Sequence, residues 1–306
     1  MLHGWIILDK PLGLGSTTAV SAVKRALREA GEPKTKVGHG GTLDPLATGV
    51  LPIALGEATK LAGRMLDATK AYDFTITFGT QTNTLDLEGQ VIATSDVRPS
   101  LAEIEAILPR FTGPIEQIPP AYSALKVDGE RAYDLARQGI EVELKTRAVT
   151  VLELALLAAD TDSATLSATV SKGTYIRSLA RDIALALDTV GHVTMLHRTK
   201  AGPFTLESAI SLDILNEAAK SRALTRMVLP LRAGLDDIPA LPVTPDQARL
   251  LRHGQPLFGI PAMGSHQSNT LMGPAPGLYL AIEAETPVAL VELSDDGCRV
   301  VRGFNL

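Results

Sequence analysis

Residues 72–78, YDFTITF, decide the architecture. Tyr72, Phe74, Ile76 and Phe78 alternate with mostly polar residues, the period of a strand buried on one face. Upstream, Gly4–Asp9 (GWIILD) reads as a buried strand ending at Pro11 and Gly13. Downstream, alternation returns near Thr150–Leu156 and Ala164–Val170. Helices fall between these runs. Ser16 is a candidate cap for a helix to about Ala30, with Val20, Val23 and Leu27 on one face and Gly31 as terminator. Glu57–Asp67 and Ser100–Leu108 read as short helices, and Ile176, Leu179, Ala180, Ile183 and Leu187 have clean helical spacing. The elements do not follow strict βαβ order, so the expected fold is α+β with a mixed or antiparallel sheet flanked by helices. Near Asp236–Pro245 the composition shifts. A short helix, a Gly/Pro/Ser-rich stretch and two strand-like runs, Leu278–Ile282 and Pro287–Leu293, follow. They predict a small β-rich domain over 239–306 behind a large domain over 1–238.

Composition narrows the function. The 306 residues are 45% hydrophobic and 21% charged, as in an ordinary globular protein. No apolar run approaches the roughly 20 residues that span a bilayer. The opening MLHGWIILDKPLGLGS lacks a secretory pattern, so a cytoplasmic location is expected. A single cysteine, Cys298, excludes an intrachain disulfide and any multi-cysteine metal site. The six histidines are scattered, without an HExxH pair, so no metal site is expected. There is no P-loop, and GLGSTT does not complete GxGxxG, which leaves NAD and ATP unsupported. The net charge of −5 argues against an unselective nucleic-acid binder. Yet the stretch from Lys24 to Lys36 holds five cations (Lys24, Arg25, Arg28, Lys34, Lys36) against two acids. That is either a solvated helix face or a basic face able to hold phosphates.

Two segments carry the chemistry. In Gly38–Gly49, GHGGTLDPLATG, four glycines (Gly38, Gly40, Gly41, Gly49) make a loop that a ligand can approach closely. Asp44 precedes Pro45, which keeps its backbone out of the helical region. Alone, an Asp-Pro pair is turn punctuation, and a lone His39 is a surface histidine. In Val170–Arg181, VSKGTYIRSLAR, Lys172 and Arg177 flank the start of a helix near Thr174. Cations there oppose the helix dipole. They make sense if an anion binds between them, either a phosphate or the carboxylate of Asp44.

Six blocks, in order over most of residues 3–210, resemble the TruB family, bacterial enzymes that form pseudouridine at position 55 of the tRNA T-loop. They are GWIILDKPLGLGST, GHGGTLDPLATGVLPIALGEATK, KAYDFTITFG, IPPAYSALKVDGERAYDLARQGIEVE, SKGTYIRSLARDI and GHVTMLHRTKAGPF. The fourth is similar to the family's thumb insertion, here about 112–147. The last segment resembles, weakly, the family's RNA-binding PUA domain. Departures are Gly40 for a threonine, Gln81 and Asn83 for a cation and an aspartate, Val170 for a cysteine and His197 for an arginine. None touches the aspartate, the tyrosines or Arg177.

The resemblance implies a cofactor-free isomerisation of uridine, since the reaction adds no atoms and changes no redox state. Asp44 is the catalytic carboxylate, whether it attacks the base, attacks the sugar or removes a sugar proton. Arg177 is its ion-pair partner, fixing it and favouring the charged form. Tyr72 is implied as the aromatic face for the flipped base. Tyr175 packs beneath the site or takes the C5 proton, a poor role for a phenol. Leu196 is an apolar wall under uracil, His39 displaces or holds neighbouring loop bases, Gly41 belongs to the substrate-approached loop, and Lys10 meets backbone or a carboxylate nearby. The implied partner is the tRNA T-arm, bound by a monomer with no guide RNA and no membrane. The thumb-like insertion disfavours a dyskerin-like, guide-dependent synthase, and the intact Asp44, Tyr72, Tyr175 and Arg177 disfavour a pure RNA-binding protein. Lys126, Arg131 and Arg137 of the thumb are expected to meet phosphates. Residues 241–306 hold four cations against six acids, so they are not expected to supply most of the phosphate attraction. A chain ending near residue 238 is expected to keep activity on a T-arm hairpin.

Overall fold

The computed structural model describes residues 1–123, 125–127, 129–138, 140, 144–258, 275–295 and 297–306. The side chains of Lys126, Arg131 and Arg137 lie outside the described residues. In chain order the first elements are β1 (Gly4–Lys10), α1 (Ser16–Glu29), β2 (Val37–His39), β3 (Ala47–Leu55), a 3-10 turn (Gly56–Leu61), α2 (Ala62–Asp67) and β4 (Lys70–Phe78). Next come a hairpin of β5 (Thr80–Thr82) and β6 (Val91–Thr94), α3 (Leu101–Ile107), β7 (Gly113–Gln117), a hairpin of β8 (Lys126–Val127) and β9 (Glu130–Arg131), and α4 (Ala132–Arg137). β10 (Arg147–Ala159), β11 (Ser163–Val170), α5 (Ile176–Ala186), β12 (Gly191–Ala201), β13 (Phe204–Thr205) and α6 (Leu212–Lys220) complete the large unit. The terminal unit has β14 (Ala240–Pro242), α7 (Pro245–Arg252), β15 (Gly277–Glu283), β16 (Thr286–Ser294) and β17 (Gly297–Gly303).

The expected α+β class with a mixed sheet holds. The central sheet runs β1-β3-β12-β4-β11-β10-β7, with β2 added to β3 and β13 to β12. Its pairings are antiparallel except β12–β3. The strand at 72–78 sits near the middle, between β12 and β11.

The period-2 pattern decides which layer each residue joins. Ile6 and Leu8 of β1 join a core with Val20, Val23 and Leu27 of α1 and Leu215 of α6. Phe74 and Ile76 of β4 join a second core with Ile104 of α3 and Leu179 and Ile183 of α5. Tyr72 and Leu196 touch both cores, so they lie at the seam between the two helical layers. On the opposite face, Trp5 and Ile7 pack with Leu231, Leu235 and three residues of the terminal unit, Leu280, Leu290 and Phe304. The terminal β-sheet is therefore docked through a shared apolar core.

Two local expectations are corrected. Ser16 does not cap α1; Gly15 is the N-cap and offers no side chain. The stretch from Gly38 to Gly49 is loop only over 40–46, because β2 ends at His39 and β3 begins at Ala47. Among the described residues no helix is long and apolar enough to cross a membrane.

Candidate active site

Three side chains from separate elements hold the loop that carries Asp44. Ser16 Oγ donates to the Leu43 carbonyl at 2.9 Å and accepts from the Leu43 amide at 2.8 Å. Lys10, with no exposed surface, donates from Nζ to the carbonyls of Pro11 (3.0 Å), Leu14 (2.6 Å) and Pro45 (3.2 Å). Burial pulls the Lys10 pKa down to about 8 although nearby Asp44 raises it. Arg198 of β12, also buried, donates to the carbonyls of Val50 (2.7 Å), Thr42 (3.3 Å) and Gly41 (3.2 Å). Gly41 has φ of +140°, a conformation that suits glycine. Loop carbonyls or amides on both sides of Asp44 are thus tied to α1, β1 and β12. The aspartate is held on an over-determined backbone.

Arg177 is the second residue of α5, with Tyr175 as N-cap. The Tyr175 amide is satisfied by Gln117 Oε1 at 2.7 Å. The Arg177 guanidinium reaches Asp44 Oδ2 at 3.0 Å and Asp86 Oδ2 at 3.2 Å. It also donates to the carbonyls of Thr84 (2.8 Å) and Tyr122 (2.9 Å). Its side chain is 7% exposed, Asp86 10% and Asp44 42%. The buried cation and Asp86 form a fixed base, and Asp44 is the partner that faces solvent. Asp86 is itself oriented by Thr84 Oγ1 at 2.6 Å and the Glu88 amide at 3.0 Å. The cation at the helix start does have an anion, and it is carboxylate. Lys172 does not share it; it pairs with Asp67 at 3.0 Å on the surface.

Asp44, Tyr72, Tyr175, Arg177 and Leu196 line one cavity of about 120 Å³, open to solvent. At about 30 Å³ per water, that is room for a few waters or one small ring. An aromatic face, an apolar wall and a fixed carboxylate meet there, which suits a flat heterocycle next to an anion. Burial pushes the Tyr175 phenol above its ordinary pKa, further from use as a base. Among the sequence-predicted residues, Lys10, Gly41 and His39 do not line this cavity. Lys10 and Gly41 serve the loop. His39 ends β2, and burial with the charge of Arg198 lowers its pKa, which favours neutral imidazole.

Sequence reasoning missed Asp86 and Arg198. The available signals were an Asp-x-x-Gly turn at Asp86 and an arginine inside the long strand run around Leu196. The departures have local explanations in two cases. A Cβ at Gly40 would stand 2.7 Å from Met65 Cβ, and His197 Nδ1 shares a 2.7 Å hydrogen bond with Thr48 Oγ1.

Residues 24–176 match the TruB family pseudouridylate synthase N-terminal domain, and residues 177–236 match the tRNA pseudouridylate synthase B C-terminal domain. The chain is 61% identical to tRNA pseudouridine synthase B of Novosphingobium aromaticivorans, over 100% of this chain and 98% of that protein. It is 59% identical to the enzyme of the same name from Zymomonas mobilis, over 99% of this chain and 96% of that protein. Among solved structures, a Cbf5–Nop10–Gar1 complex gives a TM-score of 0.71 at 25% identity, covering 99% of this chain and 84% of that one. A second, an H/ACA RNP bound to a substrate RNA containing 2'-deoxyuridine, gives 0.71 at 23% identity and supports the fold, covering 99% of this chain and 86% of that one. On two family models that together span residues 24–236 and on relatives alike over their full length, the chain belongs to the TruB family of pseudouridylate synthases.

Proposed function

We propose that this enzyme converts uridine 55 of the tRNA T-loop to pseudouridine, with Asp44 as the catalytic carboxylate. The observation that carries the reading is the Asp44 carboxylate, fixed 3.0 Å from buried Arg177 at the edge of a cavity walled by Tyr72, Tyr175 and Leu196. The reaction breaks the N1–C1′ bond, turns the base and forms a C5–C1′ bond, with a proton lost from C5 and one gained at N1. The pocket supplies what these steps need. Tyr72 offers a stacking face in place of the neighbours the base leaves when it flips out. Leu196 gives an apolar floor on which a freed uracil can rotate. Asp44, oriented by Arg177, faces the bond to be broken. The proton acceptor at C5 is better sought in Asp44 or water than in Tyr175, whose phenol is pushed further from a base by burial.

The relatives' name carries the tRNA substrate to this chain, and the pocket's size carries a single flipped pyrimidine. The insertion at 112–147 supports action without a guide RNA. It reaches the site through the Tyr122 carbonyl, which accepts from Arg177, while Gln117, the last residue of β7 before it leaves the sheet, accepts from the Tyr175 amide. The protein is read as a cytoplasmic monomer that needs no cofactor. The test is to incubate it with an unmodified T-arm transcript, without guide RNA, and map pseudouridine. Stoichiometric product at the T-loop uridine is expected. No product on either the hairpin or full-length tRNA would overturn the reading.

A further inference from the structure

Helix α5 begins without a cap of its own. Its N-cap, Tyr175, makes no side-chain capping bond. In a capping box the third helical residue reaches back and accepts the N-cap amide. That residue is Ser178, and its hydroxyl donates instead to the Ile118 carbonyl at 2.8 Å. The acceptor for the N-cap amide comes from another element: Gln117 Oε1 takes the Tyr175 amide at 2.7 Å. Gln117 is 2% exposed, and its backbone is pinned by the sheet, opposite Arg147 in the β7–β10 ladder. Pro119 and Pro120 follow, which stiffen the chain and offer no amide. The segment then lies against the first two turns of α5. The Ile118 carbonyl also accepts from Arg181 at 3.1 Å, and the Tyr122 carbonyl accepts from Arg177 at 2.9 Å. Among these contacts only that of Gln117 uses a side chain of the segment, so it is the one that a point substitution removes.

We propose that Gln117 is a positioning residue for the reaction. By capping α5 from the neighbouring strand it sets where Tyr175 and Arg177 stand, and through Arg177 the Asp44 carboxylate. The proposal rests on the reading of Asp44 and Arg177 given above. What Gln117 contributes is an acceptor. Its side-chain nitrogen is buried and, among the described residues, has no hydrogen-bond partner, so the oxygen alone makes the contact. Glutamate supplies the same oxygen. Its charge meets two cations, Arg147 across the ladder and Arg177, both of which act on the neighbouring Tyr175. Leucine fills much of the same space and accepts nothing. Asparagine keeps the amide but is one methylene too short to reach.

The test is single-turnover pseudouridine formation on an unmodified T-arm transcript, with the dissociation constant measured in parallel, for Gln117→Leu, Gln117→Asn and Gln117→Glu. Leucine and asparagine are expected to lower the rate by roughly ten- to a hundredfold, the effect of a small misplacement of reacting groups, with affinity within about threefold. Glutamate is expected to recover the rate to within about fivefold of wild type. A role in packing alone predicts the opposite order, with leucine best and the buried charge of glutamate worst. Leucine at the wild-type rate, glutamate no faster than leucine, or a loss confined to affinity would overturn the proposal. Should circular dichroism show the leucine variant unfolded, asparagine takes its place in the comparison, with the same deciding outcomes. An inactive wild type would remove the reading of Asp44, and this proposal with it.

Discussion

Replacing Arg177 by Met strands the buried Asp86 carboxylate and two carbonyls, and leaves Asp44 unheld. The single-turnover rate is expected to fall by about a thousandfold, with RNA affinity within about tenfold. Asp86→Asn keeps the shape and weakens one charged contact, worth about 1.5–3 kcal/mol. It is therefore expected to slow the chemical step by roughly ten- to a hundredfold at unchanged affinity. If either change raised only the dissociation constant, Arg177 would be a phosphate contact. Lys10 adds a pH dependence. Its pKa is about 8 in the folded chain against 10.5 when unperturbed. Between these values the unfolded chain holds a proton that the folded one has lost, so this group's contribution to stability rises with pH. Function runs the other way, because the neutral amine has one donor fewer for the carbonyls of Pro11, Leu14 and Pro45. The single-turnover rate is expected to fall above pH about 8 while the melting temperature does not; a rate flat through pH 9 would count against the clamp. Asp44, Arg177, Tyr72, Tyr175 and Leu196 were legible through blocks that resemble the family's, whereas Asp44 or Tyr72 alone reads as a turn residue or a strand tyrosine. Asp86 and Arg198 were not, since their roles exist only through partners about 90 and 150 residues away in sequence.

At the scale of elements, β3 shows why a central strand can be hidden. Its sequence ATGVLPIAL is buried at nearly every position, so it lacks alternation and carries Gly49 and Pro52, both loop signals. The fold accommodates them. On one edge β3 pairs with β1 over residues 49–55, while on the other β12 takes residues 47–49 and β2 takes 53–55. Residues 50–52 have no strand partner there, and the proline falls in that gap. Through the same gap Arg198 reaches the Val50 carbonyl. Gly49 has φ of +96°, and a Cβ there would stand 2.2 Å from the Arg198 carbonyl oxygen. Gly49→Ala is expected to cost at least about 2 kcal/mol in denaturant unfolding. Gly38→Ala, with nothing near its Cβ, is expected to stay within about 0.5 kcal/mol. Equal effects would mean that the β3–β12 contact is slack. Strands β4, β10 and β11 and helices α3 and α5 were readable, because each buries one face only and so carries a period.

For the whole molecule, the shared core on the far side of the sheet matters most. Leu280, Leu290 and Phe304 are at most 4% exposed and pack with Trp5, Ile7, Leu231 and Leu235. Lys60 donates to the Gly303 carbonyl at 2.9 Å, and Glu57 accepts from the Asn305 amide at 2.9 Å. At roughly 1.5–3 kcal/mol per buried large side chain, these three residues contribute on the order of 5 kcal/mol. That is comparable to the net stability of a domain. A chain ending at residue 238 is thus expected to melt well below the full chain and to expose apolar surface, and hairpin turnover is expected only in its folded fraction. An unchanged melting temperature would show that the terminal unit is merely tethered. The sequence showed a composition break near 240 but not this contact, because single apolar residues in a β-rich tail do not reveal which core they join.

The central claim is that the Asp44 carboxylate performs the chemistry and that the surrounding residues hold it. The most direct measurement is single-turnover pseudouridine formation by Asp44→Asn, with its affinity for the same tRNA measured in parallel. Asn is nearly isosteric, so the loop held by Ser16, Lys10 and Arg198 survives. No detectable product is expected, with binding within about tenfold of wild type, or roughly 1.4 kcal/mol. Turnover within a hundredfold of wild type would contradict it.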